Sequence, residues 1–233
     1  MATTFEVGEN LSLPERLYRS LRHAILDGTF APGEELRQEV LASQYSVSRV
    51  PLREALSRLQ AEGMIVLRPR RGFAVNSLDL MEIIEVFELR MVVEQHAMEV
   101  ASRARSEADV REVGALLDQM EGLDPAEEGH QATWLDLNRQ FHNRLIASAG
   151  RERMAATVIN LRDATEPYVR VEVNVTGHVD DAADEHRALF DAFKARDSIR
   201  AGELAREHCL GTMKRLVEGM RLRQSDAKRP GRR

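Results

Sequence analysis

Histidine is the side chain in this sequence best suited to holding a metal ion, and three of its seven histidines sit where helices would turn them inward. In WLDLNRQFHNRL, Trp134, Leu137, Phe141 and Leu145 form an apolar stripe, and Asn138 and His142 stand four apart at its edge. Residues spaced i, i+4 are neighbours on one helix face, so the amide and the imidazole converge. In DEHRALFDAF, His186 precedes Leu189, Phe190 and Phe193. In ELAREHCLGTM, His208 follows Leu204 by four and Ala201 by seven. Neutral imidazoles bind Zn²⁺, Ni²⁺ or Co²⁺ well, and a helical bundle offers suitable geometry for them. Spacing along one helix says nothing about convergence between helices. The competing reading is therefore three core or surface histidines, each with its own hydrogen-bond partner. His23 reads as a surface residue, His130 and His178 as loop residues, and His96 as a helix residue near the core.

Arginine at helical spacing is the second chemistry. In SVSRVPLREALSRL, Leu52, Leu56 and Leu59 follow i, i+4, i+7 and face a core. Arg49 and Arg53 share another face. Ser48 stands where an N-cap would accept a hydrogen bond from the first turn. Pro51 falls at the third helical position, where a missing N–H costs little. A short helix entering the major groove N-terminus first would turn Arg49 and Arg53 to base edges and phosphates. The planar guanidinium suits both, because it can pair bidentately with guanine or phosphate. Arg70 and Arg71 follow at the tip of a hairpin whose Gly72 suits a positive φ. Two arginines alone are equally a solvated helix face. Three helices and a basic-tipped hairpin within about 65 residues point instead to a winged helix-turn-helix.

The elements that must position these groups follow from hydrophobic period. Pro14 suits a helix start, and Leu17, Leu21 and Ile25 recur at helical spacing until Gly28. Leu36, Val40 and Leu41 mark a short second helix, and MIVLR and FAVN are the hairpin strands. Beyond Asn76 the period is helical throughout. Asp79 is placed to cap a long helix through Ile83, Ile84, Phe87, Met91 and Met98. Further helices are expected over roughly 106–121, 131–148, 151–171, 181–195 and 198–222. Pro167 should bend or end its helix. The alternation in VRVEVNV leaves a strand near 169–175 as a minor possibility. The fold class is mainly α: a winged helix-turn-helix over 11–76, an antiparallel helical bundle over 79–222 and a basic, disordered tail over 223–233.

The chain's net charge of −5 conceals a split. Residues 11–76 carry ten basic and seven acidic side chains, residues 77–220 carry 17 and 28, and residues 221–233 carry six and one. A basic head on an acidic body turns one end toward a polyanion. The N-terminus shows no signal-peptide pattern, no apolar run is long enough for a membrane span, and Cys209 is the single cysteine. A cytoplasmic protein with no membrane association is expected. Cys209 points about 100° away from His208 on a helix and reads as a packed thiol. No HExxH, phosphate loop or nucleotide-binding glycine fingerprint occurs.

The stretch from Tyr18 to Val75, with GTFAPGEEL, VSRVPLREALSRLQAEG and RGFAV, resembles the DNA-binding domain of GntR-type bacterial transcription regulators. The resemblance implies that Arg49, Arg53 and the wing tip at Arg71 and Gly72 contact operator DNA, with Ser48 and Arg70 beside them and Arg37 on the backbone. Two positions depart from the pattern. Ser46 stands where the turn usually has glycine, which implies strain or another turn geometry. Glu39 stands where some relatives place an arginine on DNA. Residues 80–222, through FELRMVVEQHAMEVAS, FHNRLIASAG and EHRALFDAFKARD, look like the all-helical FCD effector domain of the FadR-like branch. Many members hold a divalent metal through an Asp-x-x-x-His pair and two later histidines. That implies Asn138, His142, His186 and His208 as ligands, for Zn²⁺ or alternatively Ni²⁺, Co²⁺ or Mn²⁺. Asn138 replaces the aspartate, so the ligand set carries one negative charge fewer.

Three histidines and an amide leave coordination positions for a small organic acid. Arg90 is the candidate for pairing with its carboxylate, and an interhelix ion pair is the other reading of that arginine. The function expected is a homodimeric, sequence-specific transcription regulator whose operator affinity a small carboxylate controls, and not an enzyme. The rival reading is a metal-dependent hydrolase or lyase built on the three histidines, with Glu185 as its only visible base.

Overall fold

The computed structural model describes residues 11–68, 71–124, 126–127, 129–176 and 180–227. Arg70, His178 and residues 228–233 lie outside them. The chain divides into two compact units between Asp79 and Leu80.

In the first unit, helix α1 (Leu13–Leu26) starts with Ser12 as N-cap and Pro14 in the first turn. Its Leu17, Leu21 and Ile25 are buried with Leu52, Leu56 and Leu59 of α3 (Arg49–Ala61), and one apolar cluster results. Between them lie strand β1 (Glu35–Leu36) and α2 (Gln38–Gln44). Strands β2 (Ile65–Arg68) and β3 (Gly72–Val75) form the hairpin, and β3 also pairs with β1, giving the antiparallel order β1-β3-β2. Leu36, read from the sequence as helical, is therefore in a strand. Two residues are too short a run to show a period of two. Arg68 pairs with Gly72 across the turn, and Gly72 has φ +81°, the left-handed geometry that a side chain would strain.

The second unit is helical: α4 (Leu80–Ala104), α5 (Glu107–Glu121), α6 (His130–Ala147), α7 (Glu152–Thr176), α8 (Asp180–Lys194) and α9 (Ser198–Ala227). Its apolar cluster takes residues from all six, among them Ala97, Val113, Phe141, Val158, Phe193 and Ala201. Helix α9 approaches α4 so closely that a Cβ at Gly202 would lie 2.7 Å from Glu99 Cγ and 3.0 Å from the Gln95 carbonyl.

Three expectations change. Helix α7 does not end at Pro167 but continues past it, and it covers the stretch where a strand was possible. Val158, Arg162, Thr165, Glu166, Arg170 and Val173 are buried on both sides of the proline, so tertiary packing outweighs the one hydrogen bond that proline removes. The last helix continues to Ala227, so residues 223–227 are helical rather than tail. His96 is exposed, because the buried face of α4 passes through Glu94, Ala97 and Met98 instead.

Candidate functional site

The recognition face comes first. Arg49 and Arg53 both stand exposed on α3. Arg53 has no ion pair among the described residues. Arg49 Nη2 donates to Glu39 Oε1 at 2.7 Å, with side-chain exposures of 71% and 79%. An exposed pair of this kind is worth about 0–1 kcal/mol, so it yields readily to a guanine or phosphate. Ser48 occupies the N-cap position with extended φ/ψ, but its side chain makes no capping bond. Pro51 removes one of the two N–H groups that an N-cap oxygen can accept from, the third helical one. Ser46 has φ 54°, so the turn keeps the glycine-type geometry with a serine in it. Arg71 is exposed on the hairpin beside Gly72, and Arg37 is exposed and pairs with Glu35 at 3.5 Å.

In the second unit His142, His186 and His208 converge from α6, α8 and α9. Their ligand atoms lie within 4.8 Å of one another and all three residues are buried. His142 Nε2 and His186 Nε2 are 3.2 Å apart. Two nitrogens on one tetrahedral Zn²⁺ at 2.0–2.1 Å would be about 3.3 Å apart, so the rings already sit at ligand spacing. Burial holds the His142 and His186 imidazoles well below their ordinary pKa, and nearby arginines and histidines push the same way. Burial lowers His208 too, against the opposing pull of Glu185. Neutral rings are the form a metal needs. His208 Nδ1 is 2.6 Å from Glu185 Oε2, which fixes the ring and leaves its Nε2 for a ligand bond. Glu185 thus orients an imidazole and is not free to act as a base. Asn138 is buried and its Oδ1 has no hydrogen-bond partner, an acceptor that a cation would satisfy. The residue set fits a divalent metal.

Asn138, His186 and His208 line a cavity of about 530 Å³, counting the solvent at its mouth, together with the three arginines Arg90, Arg162 and Arg215. Arg90 is buried. It donates from Nε to Glu94 Oε1 at 2.7 Å and from Nη1 to Thr165 Oγ1 at 2.9 Å. Arg162 Nη1 takes the other oxygen of Glu94 at 2.8 Å. Burial would raise the Glu94 carboxyl, but the two guanidinium groups more than offset this and hold it down to about 2. Two cations of the cavity wall thus share one anion. Arg90 lines the cavity, and its ion pair is with Glu94 on its own helix rather than between helices or at the surface.

Sequence reasoning missed Arg162, Glu166 and Arg215. The signal was present for the first two: Val158, Arg162, Val169 and Val173 lie at helical spacing, so the charges share a face with apolar residues. Cys209 is buried, 3.9 Å from Arg90 Nη2, and burial raises its thiol to about 12, as suits a packed sulfur.

Residues 13–75 match the model of bacterial regulatory proteins of the gntR family, and residues 85–211 match the FCD domain. The chain is 34% identical over 201 residues to the HTH-type transcriptional repressor GlaR of Escherichia coli K12, covering 83% of this chain and 90% of that protein. It is 30% identical over 199 residues to the HTH-type transcriptional regulator YdhC of Bacillus subtilis 168, covering 84% and 85%. The fold is shared with the solved structure of McbR/YncC from E. coli, with a TM-score of 0.79 at 21% identity over 89% of this chain and 98% of that one. No helix among the described residues is long and apolar enough to cross a membrane. These relatives are regulators rather than enzymes, which sets the hydrolase reading aside, and the chain belongs to the GntR family of DNA-binding transcription regulators, with an N-terminal helix-turn-helix and a C-terminal FCD domain.

Proposed function

We propose that the protein is a repressor whose hold on operator DNA is controlled by a small carboxylate bound beside a divalent metal. Asn138, His142, His186 and His208 are the ligands, and Zn²⁺ is the first candidate, with Ni²⁺, Co²⁺ or Mn²⁺ as alternatives. The reading rests on one juxtaposition: a cluster of three buried neutral imidazoles, of which His186 and His208 reach the wall of a cavity that Arg90 and Arg162 also line, both of them paired with Glu94. That wall has more positive than negative charge, as suits a carboxylate. When bound, the metal offers a Lewis-acidic position to a carboxylate oxygen. Arg90 and Arg162 orient the remaining charge. The repressor sign follows that of relatives such as the repressor GlaR and the gluconate operon repressor of Bacillus licheniformis.

DNA is read by Arg49 and Arg53 with Ser48, by Arg70, Arg71 and Gly72 at the wing, and by Arg37 on the backbone. The working form is a homodimer, because a two-fold protein matches an inverted repeat. Effector binding changes DNA affinity only through a difference in its affinity for two arrangements of the protein. The test has three parts. Elemental analysis of protein purified without chelator or His-tag reports the metal. A thermal-shift screen of organic acids with and without Zn²⁺ or Ni²⁺ reports the effector. Operator binding with the best acid reports control. Either metal-free protein with no acid response, or an acid response left unchanged in His142→Ala, would sink the proposal.

A further inference from the structure

Among the described residues, Glu39 is the one carboxylate paired with a recognition arginine. It stands in the first turn of α2, and its Oε1 accepts from Nη2 of Arg49, the first residue of α3. Both side chains are exposed, so the pair lies on the surface that meets DNA and serves no core. An anion is out of place there once Arg49 turns to a base, because the phosphates repel it. Arg37, two residues before it, is already held by Glu35 at 3.5 Å. The donors that the major groove offers a carboxylate are the amino groups of cytosine and adenine. Resting on the reading of Arg49 as a base contact, we infer that Glu39 is a specificity-determining residue of the DNA face. It gives up Arg49 to a guanine and accepts from N4 of a cytosine in the same base pair or the next.

The choice of cytosine over adenine follows from the spacing of the pair. Arg49 and Glu39 sit one hydrogen bond apart, a forked donor beside an acceptor. The major-groove edge of a G·C pair is the complement: N7 and O6 accept side by side, and the adjoining N4 donates. An A·T pair lacks the two adjoining acceptors that a guanidinium fork takes up. Thymine O4 or guanine O6 in the place of N4 would set an acceptor against the carboxylate, so Glu39 rejects as well as selects. The ion pair of the free protein is thus exchanged on binding for two contacts to base edges.

Full-length wild-type protein first selects an operator from a pool of random duplexes. Fluorescence anisotropy at one salt concentration then compares wild type, Glu39→Ala and Arg49→Ala on that operator and on a random-sequence duplex. Single guanines are replaced by 7-deazaguanine, which lacks the N7 acceptor; the one that weakens wild type but not Arg49→Ala marks the base that Arg49 reads. Single cytosines are replaced by N4-methylcytosine, which still pairs with guanine but turns a methyl into the groove in place of the free N–H. One such replacement, in the marked pair or the next, weakens wild type about tenfold and Glu39→Ala less than about threefold. On the random duplex Glu39→Ala binds as tightly as wild type or tighter, because an anion has gone. A gain of equal size on operator and random duplex, with the sensitivity to N4-methylcytosine intact, overturns the inference and leaves Glu39 an electrostatic brake. Sensitivity to N6-methyladenine instead, or to a cytosine farther from the marked guanine, overturns it too. Should Arg49→Ala bind the operator as wild type does, or no operator be selected, the reading of the recognition face falls and takes the inference with it. Both side chains are exposed, so neither substitution disturbs a core.

Discussion

Ser46 and Ser48 flank the turn before the recognition helix, and the backbone uses each differently from a simple reading of its residue type. Ser46 carries a left-handed φ that costs a residue with a Cβ about 1–2 kcal/mol, partly offset by the entropy glycine loses on folding. Ser46→Gly should therefore raise stability by roughly 0.5–1 kcal/mol, read as a higher melting temperature of the N-terminal unit, without weakening operator binding. Ser48→Ala should cost less than the usual ~1 kcal/mol of a lost cap, because no capping bond is made. A DNA effect larger than its stability effect would mark Ser48 as a phosphate contact. Arg53→Ala should weaken specific operator binding by roughly 1–3 kcal/mol, measured by fluorescence anisotropy. Arg49→Ala should lose somewhat less, because wild-type Arg49 must first leave Glu39.

The helices show which sequence signals survive folding. Period alone located α1, α3 and the six helices of the body to within a few residues, because long amphipathic segments have only one way to bury their apolar face. The recognition helix was legible down to its leucines. The three histidines were legible as inward-facing, and Asn138 with His142 as neighbours. Their meeting was not, since convergence between α6, α8 and α9 is a tertiary fact with no local period. Pro167 misled for the same reason: its local preference was real, and packing on both sides of it prevailed.

Two predictions belong to the helices. Gly202→Ala should destabilise the body by about 1 kcal/mol despite alanine's better helix propensity, because the new methyl meets the Gln95 carbonyl across α4. The α4–α7 ion triad contributes to stability in acid. Glu94 has a lowered folded pKa, so its contribution is complete above about 4.5, the ordinary carboxyl value, and is lost as pH falls toward about 2. That window corresponds to about 3 kcal/mol for the buried group. Chemical denaturation across it should show stability falling with acid, and Glu94→Gln should flatten the slope while lowering stability at neutral pH.

The two units have separate apolar cores. Calorimetry should reflect that division. Zn²⁺ should raise the transition of the body and leave that of the head nearly unmoved, by RT ln(1 + [L]/Kd), about 2.7 kcal/mol at a hundredfold excess over Kd. Operator DNA should stabilise the head. In His142→Ala the zinc-dependent rise should disappear while the DNA-dependent one persists. A zinc response equally large in the head would mean adventitious binding to scattered side chains.

The chain's lone sulfhydryl offers a way to watch one half of this molecule by itself. Cys209 is sealed inside the FCD domain with its thiol raised to about 12, so at neutral pH it is neither ionised nor reachable. Alkylating reagents react with exposed thiolate, and here that species forms only when the bundle opens. The rate of maleimide labelling is thus a native clock for breathing of the effector half. It requires no engineered probe and is silent to fraying in the half that reads DNA.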